Sequence, residues 1–250
     1  MHTIVADTAE QFSQLGADIV AQTLAGRPDA TLLVATGNTP MGIYEELAQR
    51  HRAGSVDTSR ARVFQLDEYV GVTDEDDRSL YGWTRRSFID PLGIPHEQVT
   101  RLMANGSDPE QARQDYEAAV NAAGGIDLAI LGLGPNGHLG FNEPPCAQDA
   151  PTRLVDLTEE SFVSNAVYWG GRDRVPRQAM TAGMDIIMAA RHILVVVMGA
   201  HKRDILERTI AGPVTPEVPA SWLQGAARVT ILADRAALPN PSPARASNVS

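Results

Sequence analysis

Short runs rich in Val, Ile and Leu alternate along this chain with longer segments in which apolar residues recur every three or four positions. The first pattern predicts buried strands, the second amphipathic helices. Strands are expected at Thr31–Ala35, Arg62–Leu66, Ile126–Leu131, Ile193–Met198 and Val229–Ala233, with weaker candidates at Ile4–Val5, Val99–Met103 and Arg153–Leu157. Helices are expected at Thr8–Ala25, Met41–Arg52, Ser79–Asp90, Pro109–Ala123, Glu159–Tyr168 and His201–Ile210. Leu128–Leu131 and Leu194–Val197 are apolar at every position, as strands are when helices cover both faces of a parallel sheet. The alternation therefore predicts an α/β fold, a three-layer open sandwich around a mostly parallel sheet. A single domain is expected over residues 1–235. From Ala236 to Ser250 the chain is rich in Pro, Ser, Ala and Asn without an apolar period, and reads as a flexible tail. The acidic run Asp74–Asp77 reads as a solvated loop.

In open parallel sheets ligands bind outside the carboxyl ends of the strands, so the residues just after each predicted strand are the candidates for chemistry. After Thr31–Ala35 comes Thr36-Gly37-Asn38-Thr39-Pro40. Thr39 suits an N-cap and Pro40 a first helical position, and the free N–H groups of a helix start favour an anion. An ordinary strand–helix turn would use Gly and Thr equally well. After Arg62–Leu66 comes Asp67-Glu68-Tyr69, whose adjacent carboxylates point to opposite faces of a regular strand. One could be a base whose pKa burial raises, and both could equally be solvated surface. After Ile126–Leu131, Gly132, Gly134 and Gly137 match the dinucleotide fingerprint by spacing. That fingerprint must open a long helix, and Pro144, Pro145 and Pro151 interrupt the segment that follows. The segment reads instead as a glycine-rich loop presenting His138 and Glu143, five residues apart and without zinc-site spacing. An imidazole in such a polar turn favours an acid–base role over core filling.

Composition narrows the partner. Lys plus Arg number 21 against 31 Asp plus Glu, a net charge of -10. With no Lys/Arg run, neither nucleic acid nor an anionic membrane is an expected partner. The chain shows neither a secretory signal pattern nor an apolar stretch long enough to span a bilayer, so a soluble, cytoplasmic protein is expected. A single cysteine, Cys146, excludes an intramolecular disulfide. Of the 21 basic residues 20 are Arg, and Lys202 is the one lysine. It follows the predicted strand Ile193–Met198 in Gly199-Ala200-His201-Lys202, at a helix start where a cation is slightly unfavourable unless an anion binds. Lys202 is either a chance survivor or a site where a compact ammonium is needed. An anion cradle, an imidazole with carboxylates and a fixed ammonium at four strand ends together suggest a sugar-phosphate site.

Four motifs, ATGNTP (Ala35–Pro40), LDEYVG (Leu66–Gly71), LGLGPNGHLGFNEP (Leu131–Pro144) and VPASWLQ (Val218–Gln224), resemble the glucosamine-6-phosphate deaminase/galactosamine-6-phosphate isomerase family over about Ile4–Ala236. The resemblance implies a Rossmann-like fold that turns an amino-sugar 6-phosphate and water into a ketose 6-phosphate and ammonia, with no metal or other cofactor. It implies that His138 opens the pyranose ring, that Glu143 orients and tunes the imidazole, and that Asp67 moves the proton from C2 to C1. Gly37, Asn38, Thr39 and Lys202 would hold the phosphate. Asn136 stands where many relatives carry Asp, which changes the charge around His138. Val167 stands where some relatives carry a phosphate-gripping Arg, a feature shared with the galactosamine branch; Arg172 and Arg174 are the nearby arginines that could replace it. Of the basic effector contacts of regulated relatives only Arg153 matches. The alternatives are a 6-phosphogluconolactonase or another sugar-phosphate isomerase, and a non-catalytic sugar-phosphate sensor. Whether the chain forms a homo-oligomer is left open.

Overall fold

The computed structural model of the protein describes residues 1–106 and 108–239. In chain order the elements are β1 (His2–Ala6), α1 (Ala9–Gly26), β2 (Thr31–Val34), α2 (Met41–Arg52), β3 (Arg62–Gln65), β4 (Asp67–Tyr69) and α3 (Leu80–Thr84), which runs on into a π-helical turn at Arg85–Ile89. Then come β5 (Val99–Thr100), α4 (Pro109–Ala122), β6 (Leu128–Gly132), β7 (Arg153–Asp156), α5 (Glu159–Trp169), β8 (Gln178–Thr181), α6 (Met184–Ala189), β9 (Ile193–Val197), α7 (Arg203–Ala211) and β10 (Val229–Asp234).

Seven strands pair in the order β1-β10-β9-β6-β2-β3-β5, every neighbour parallel, which is the sheet that the apolar runs predict. Successive side chains leave opposite faces, so each strand feeds two cores. Leu33, Leu131, Val195 and Ile231 pack with Tyr116 and Val120 of α4, Ile187 of α6 and Leu206 of α7. Leu32, Ile130, Leu194 and Leu232 pack on the other face with Phe12 and Val20 of α1 and Ile43 and Leu47 of α2. Helices therefore cover both faces, giving three layers. The chain leaves β2 towards β3 and returns to β6 on the other side of β2, so the strand order reverses between β2 and β6. That reversal opens a crevice beyond the carboxyl ends of these two strands.

The structure corrects several expected boundaries. Pro40, not Thr39, sits at the N-cap of α2, and no side chain caps it. The stretch Val99–Met103 pairs only through Val99 and Thr100, against Val63 and Phe64. Arg153–Asp156 belongs not to the parallel sheet but to a second, antiparallel sheet in the order β4-β8-β7. This small sheet carries a third core, in which Tyr69, Leu80, Phe141 and Trp169 pack together. The acidic run is a loop at the surface, as expected, and its carboxylates pair there: Asp74 with Arg101, Asp76 with Arg78 and Asp77 with Arg86. At the far end Ala237 is fully buried and Arg203 donates to the carbonyls of Ala236 and Leu238, so packed structure continues past residue 235. The expected tail otherwise falls on residues 240–250, outside the described residues.

Candidate active site

A cavity of about 580 Å³ lies at the crevice between β2 and β6. Gly37, Asn38 and Thr39 line it after β2, Asp67 after β3, His138 after β6 and Lys202 after β9. Six of the eight residues selected from the strand ends thus face one space. Asn136 and Glu143 do not line it; they stand behind His138.

Asp67 and Glu68 are separated by the pleat, as adjacent strand residues must be. Beyond Gln65 the chain leaves the parallel sheet, and Asp67 pairs with Thr181 of β8. The buried Gln65 amide fixes the bend by donating to the Asp67 carbonyl at 2.9 Å and to the Glu68 carboxylate at 3.0 Å. Glu68 also accepts the backbone N–H groups of Tyr69, Leu80 and Tyr81 and the Ser79 hydroxyl, at 2.8–3.1 Å. It therefore caps α3 from below and is spent on structure. Asp67 is 8% exposed and lines the cavity. Burial, reinforced by the adjacent Glu68 charge, pushes its pKa up to about 7. A carboxyl at that value is poised to take and return a proton near neutrality.

His138 sits in the loop after β6, which opens no helix before α5. A Cβ at Gly134 would come within 2.2 Å of the imidazole, so only glycine lets the ring lie over that backbone. Asn136 Oδ1 accepts from the His138 backbone N–H at 3.3 Å and from Nδ1 at 2.7 Å. The proton on Nδ1 leaves the Nε2 lone pair free as an acceptor. Burial pulls the imidazole pKa down; Glu143 opposes this and Lys202 adds to it. The ring is thus held neutral, with Nε2 as its acceptor. Glu143 Oε1 is 3.8 Å from Nδ1. Its oxygens instead accept the Thr158 backbone N–H at 2.8 Å and the Thr158 and Ser161 hydroxyls at 2.5 and 2.6 Å. In this geometry Asn136 orients the ring, while Glu143 supplies charge and ties the loop to the first turn of α5. The VPASWLQ segment braces the same loop from outside, with Ala220 N–H donating to the Gly137 carbonyl at 2.8 Å and Trp222 Nε1 to the Cys146 carbonyl at 2.9 Å.

At the other end of the cavity Gly37 adopts φ +89°, a conformation open to glycine, with open space where a Cβ would stand. Lys202 Nζ donates to the Leu133 carbonyl at 2.6 Å, leaving two N–H donors, and burial lowers its pKa. Val167 is 77% exposed and outside the lining. Neither Arg172 nor Arg174 replaces it at the cavity, and Arg172 is paired with Glu159 and Asp173. The lining arginines are Arg78 and Arg86, which strand-end reasoning does not reach. Trp83 and Ser87 beside them, and Ser164, Asn165, Tyr168 and Trp169 of α5, complete the wall. The available signal was helical spacing, since Leu80, Trp83 and Ser87 share one face of the segment after Ser79. Arg153 does not stand free for an effector: it donates to Asn142 Oδ1 at 2.8 Å, to the Pro151 carbonyl at 3.1 Å and to Cys146 Sγ at 3.5 Å.

The family model described as glucosamine-6-phosphate isomerases/6-phosphogluconolactonase matches residues 5–232. The chain is 39% identical over 238 residues to a glucosamine-6-phosphate deaminase of Streptomyces coelicolor, covering 95% of this chain and 91% of that protein. It is 38% identical over 237 residues to one of Halothermothrix orenii, covering 95% and 98%. Among solved structures, a monomeric glucosamine-6-phosphate deaminase superposes with a TM-score of 0.92 at 33% identity, covering 95% of this chain and 98% of the other. The 6-phosphogluconolactonase of Thermotoga maritima superposes with a TM-score of 0.74 at 20% identity, a likeness of fold. On the strength of the whole-length match and of relatives this similar, the chain belongs to the glucosamine-6-phosphate isomerase/6-phosphogluconolactonase family.

Proposed function

We propose that this protein is an amino-sugar-6-phosphate deaminase, converting glucosamine 6-phosphate or its galactosamine epimer and water into a ketose 6-phosphate and ammonia. The observation that carries this reading is one cavity faced together by Asp67, His138, Lys202 and the 37–39 loop, in a chain 39% identical to a deaminase. His138 Nε2 takes the proton of the anomeric hydroxyl and returns it to the ring oxygen, opening the pyranose. Asp67 then removes the proton from C2 while the aldehyde oxygen takes a proton from the substrate's ammonium, giving an enolamine, and delivers the C2 proton to C1. The resulting imine at C2 is hydrolysed to the ketone, releasing ammonia. Asn136 holds the imidazole in the basic tautomer and Glu143 supports the imidazolium formed in transit. Phosphate on Lys202 and the Gly37–Thr39 backbone anchors the substrate so that C1 and C2 lie at Asp67.

Every residue given a role lies in one chain, so the reading does not require self-association, which sedimentation would measure separately. No helix of the described residues is long and apolar enough to cross a membrane, in keeping with a cytoplasmic site of action. The test is ammonia release from glucosamine 6-phosphate and galactosamine 6-phosphate, with 6-phosphogluconolactone alongside. Ammonia and ketose 6-phosphate in equal amounts are expected. Lactone hydrolysis with no ammonia from either amino sugar would replace this reading, and binding of both without turnover would make the protein a sensor.

A further inference from the structure

Three cationic side chains line the cavity: Lys202, Arg78 and Arg86. Arg78 is the more firmly paired of the two arginines. It grips Asp76 with two bonds, at 2.8 and 2.6 Å, and its plane lies 4.4 Å over the Trp169 ring. Arg86 is held more lightly. It donates to the Asp77 carbonyl at 2.5 Å, and its other terminal nitrogen is 3.4 Å from the Asp77 carboxylate, whose side chain is 94% exposed. An ion pair so exposed contributes little, and a guanidinium has N–H groups to spare for a second acceptor.

The element that carries Arg86 is fixed against the 36–40 loop at both of its ends. Phe88 of the π-helical turn packs edge-on to Tyr44 at 4.7 Å, and the Tyr44 hydroxyl donates to the Ala35 carbonyl at 2.7 Å, just before the loop. Trp83 Nε1 donates to Met41 Sδ at 3.2 Å, just after it. Arg86 and Ser87 line the cavity from this anchored turn. π-helical geometry inside a helix is a recurrent mark of functional positions. A phosphate monoester carries about −1.5 to −2 charge at neutral pH, more than one ammonium balances. In a chain of net charge -10, and with Arg172 and Arg174 off the cavity, the second cation must come from its wall.

We propose that Arg86 is the second cation on the substrate phosphate, opposite Lys202, and that Asp77 occupies its guanidinium until the phosphate displaces it. The identity of the sugar rests on the deaminase reading; the anion site does not.

Inorganic phosphate is the probe, titrated calorimetrically at fixed ionic strength into the wild-type protein and its variants, followed by KM measurements with glucosamine 6-phosphate. Arg86→Met weakens inorganic phosphate binding about 10- to 100-fold, the loss of one charge-assisted contact, and Arg86→Lys falls between it and wild type. KM rises by a similar factor, while kcat changes less than about threefold, because the phosphate is gripped alike in ground and transition states. Asp77→Asn, which releases the guanidinium, tightens phosphate binding by about two- to fivefold. Arg172→Met and Arg174→Met leave phosphate affinity unchanged. Wild-type phosphate affinity in both Arg86 variants overturns the proposal, as does weaker binding in Asp77→Asn or an equal loss in Arg172→Met. Loss of phosphate binding in Arg86→Met together with a wild-type protein that releases no ammonia would keep the Arg86 assignment and remove the deaminase reading. Ammonia release with unaltered phosphate affinity in Arg86→Met would do the reverse.

Discussion

At Asp67 the fold keeps a carboxyl out of water beside a second charge, and no hydrogen bond lowers the pKa again from about 7. In the unfolded chain the same group titrates near 3.9. The native state therefore binds this proton more tightly, and the stability associated with it is present at acid pH and lost as pH rises from about 4 through 7. Asp67→Asn should abolish turnover yet raise unfolding free energy by on the order of 2–4 kcal/mol at pH 8, with little gain at pH 4. Denaturant unfolding at the two pH values checks it, and an equal effect at both would mean that the carboxyl titrates normally. At His138 the relevant neighbour is neutral. Asn136→Asp would place a negative charge on the oxygen that now accepts from Nδ1 at 2.7 Å, and so raise the imidazole pKa. The acidic limb of the kcat/KM profile attributable to His138 should move up by about 1–3 pH units. A limb that stays in place would assign it to another group.

Two short helices owe their position to buried glutamates rather than to their own periodicity. Glu68 collects the first N–H groups of α3, and Glu143 the N-cap residue of α5, so each helix start is tied to a segment bearing a cavity-lining side chain, Asp67 or His138. Glu68→Gln retains the shape but cannot satisfy every donor, which should cost about 1–3 kcal/mol in unfolding experiments. It also removes the charge that helps to raise the Asp67 pKa, so the Asp67 limb of the pH–rate profile should shift to lower pH. A stability loss without that shift would confine Glu68 to capping. These couplings also explain what the sequence does and does not disclose. The strands of the parallel sheet are legible because β9 and β6 are apolar throughout, and the residues after them inherit their place from topology. β4 and β8 are three and four residues long, too short for a period, and Asp-Glu-Tyr has no strand signature. The walls contributed by α3 and α5 are only half legible: helical spacing shows which residues share a face, but long-range bonds such as Ser161 to Glu143 and Tyr81 to Glu68 decide which face meets the cavity. Proline 40 misleads more simply, because φ −79° serves an N-cap as well as a first helical residue.

The two ends of the parallel sheet divide the labour. Its carboxyl end holds the cavity. Its amino end holds Asp127, 6% exposed, which accepts the Thr31 backbone N–H at 2.8 Å and pairs with Arg27 at 2.7 Å and Arg191 at 2.9 Å. This node joins the segments entering β2, β6 and β9. Because both arginines are more than a third exposed, the pairs themselves contribute modestly, and the unsatisfied Thr31 N–H dominates the cost of losing the carboxylate. Asp127→Ala should lower stability by about 1–3 kcal/mol and leave kcat and KM of the folded enzyme unchanged. Thermal unfolding and steady-state kinetics on the same preparation check this; a changed KM would show that strain at one end of the sheet reaches the other.

Lys202 gives the molecule a property that has nothing to do with turnover. It carries the chain's one side-chain primary amine, half-buried in the cavity with its pKa lowered by burial. An acylating reagent at mildly alkaline pH finds one side-chain amine in this sequence, that of Lys202. A reporter attached there would sit at the strand crevice without any engineered residue, and its attachment rate would read occupancy. Phosphate that holds the ammonium charged should slow acylation of Lys202, and peptide mapping across a phosphate titration reads that protection directly.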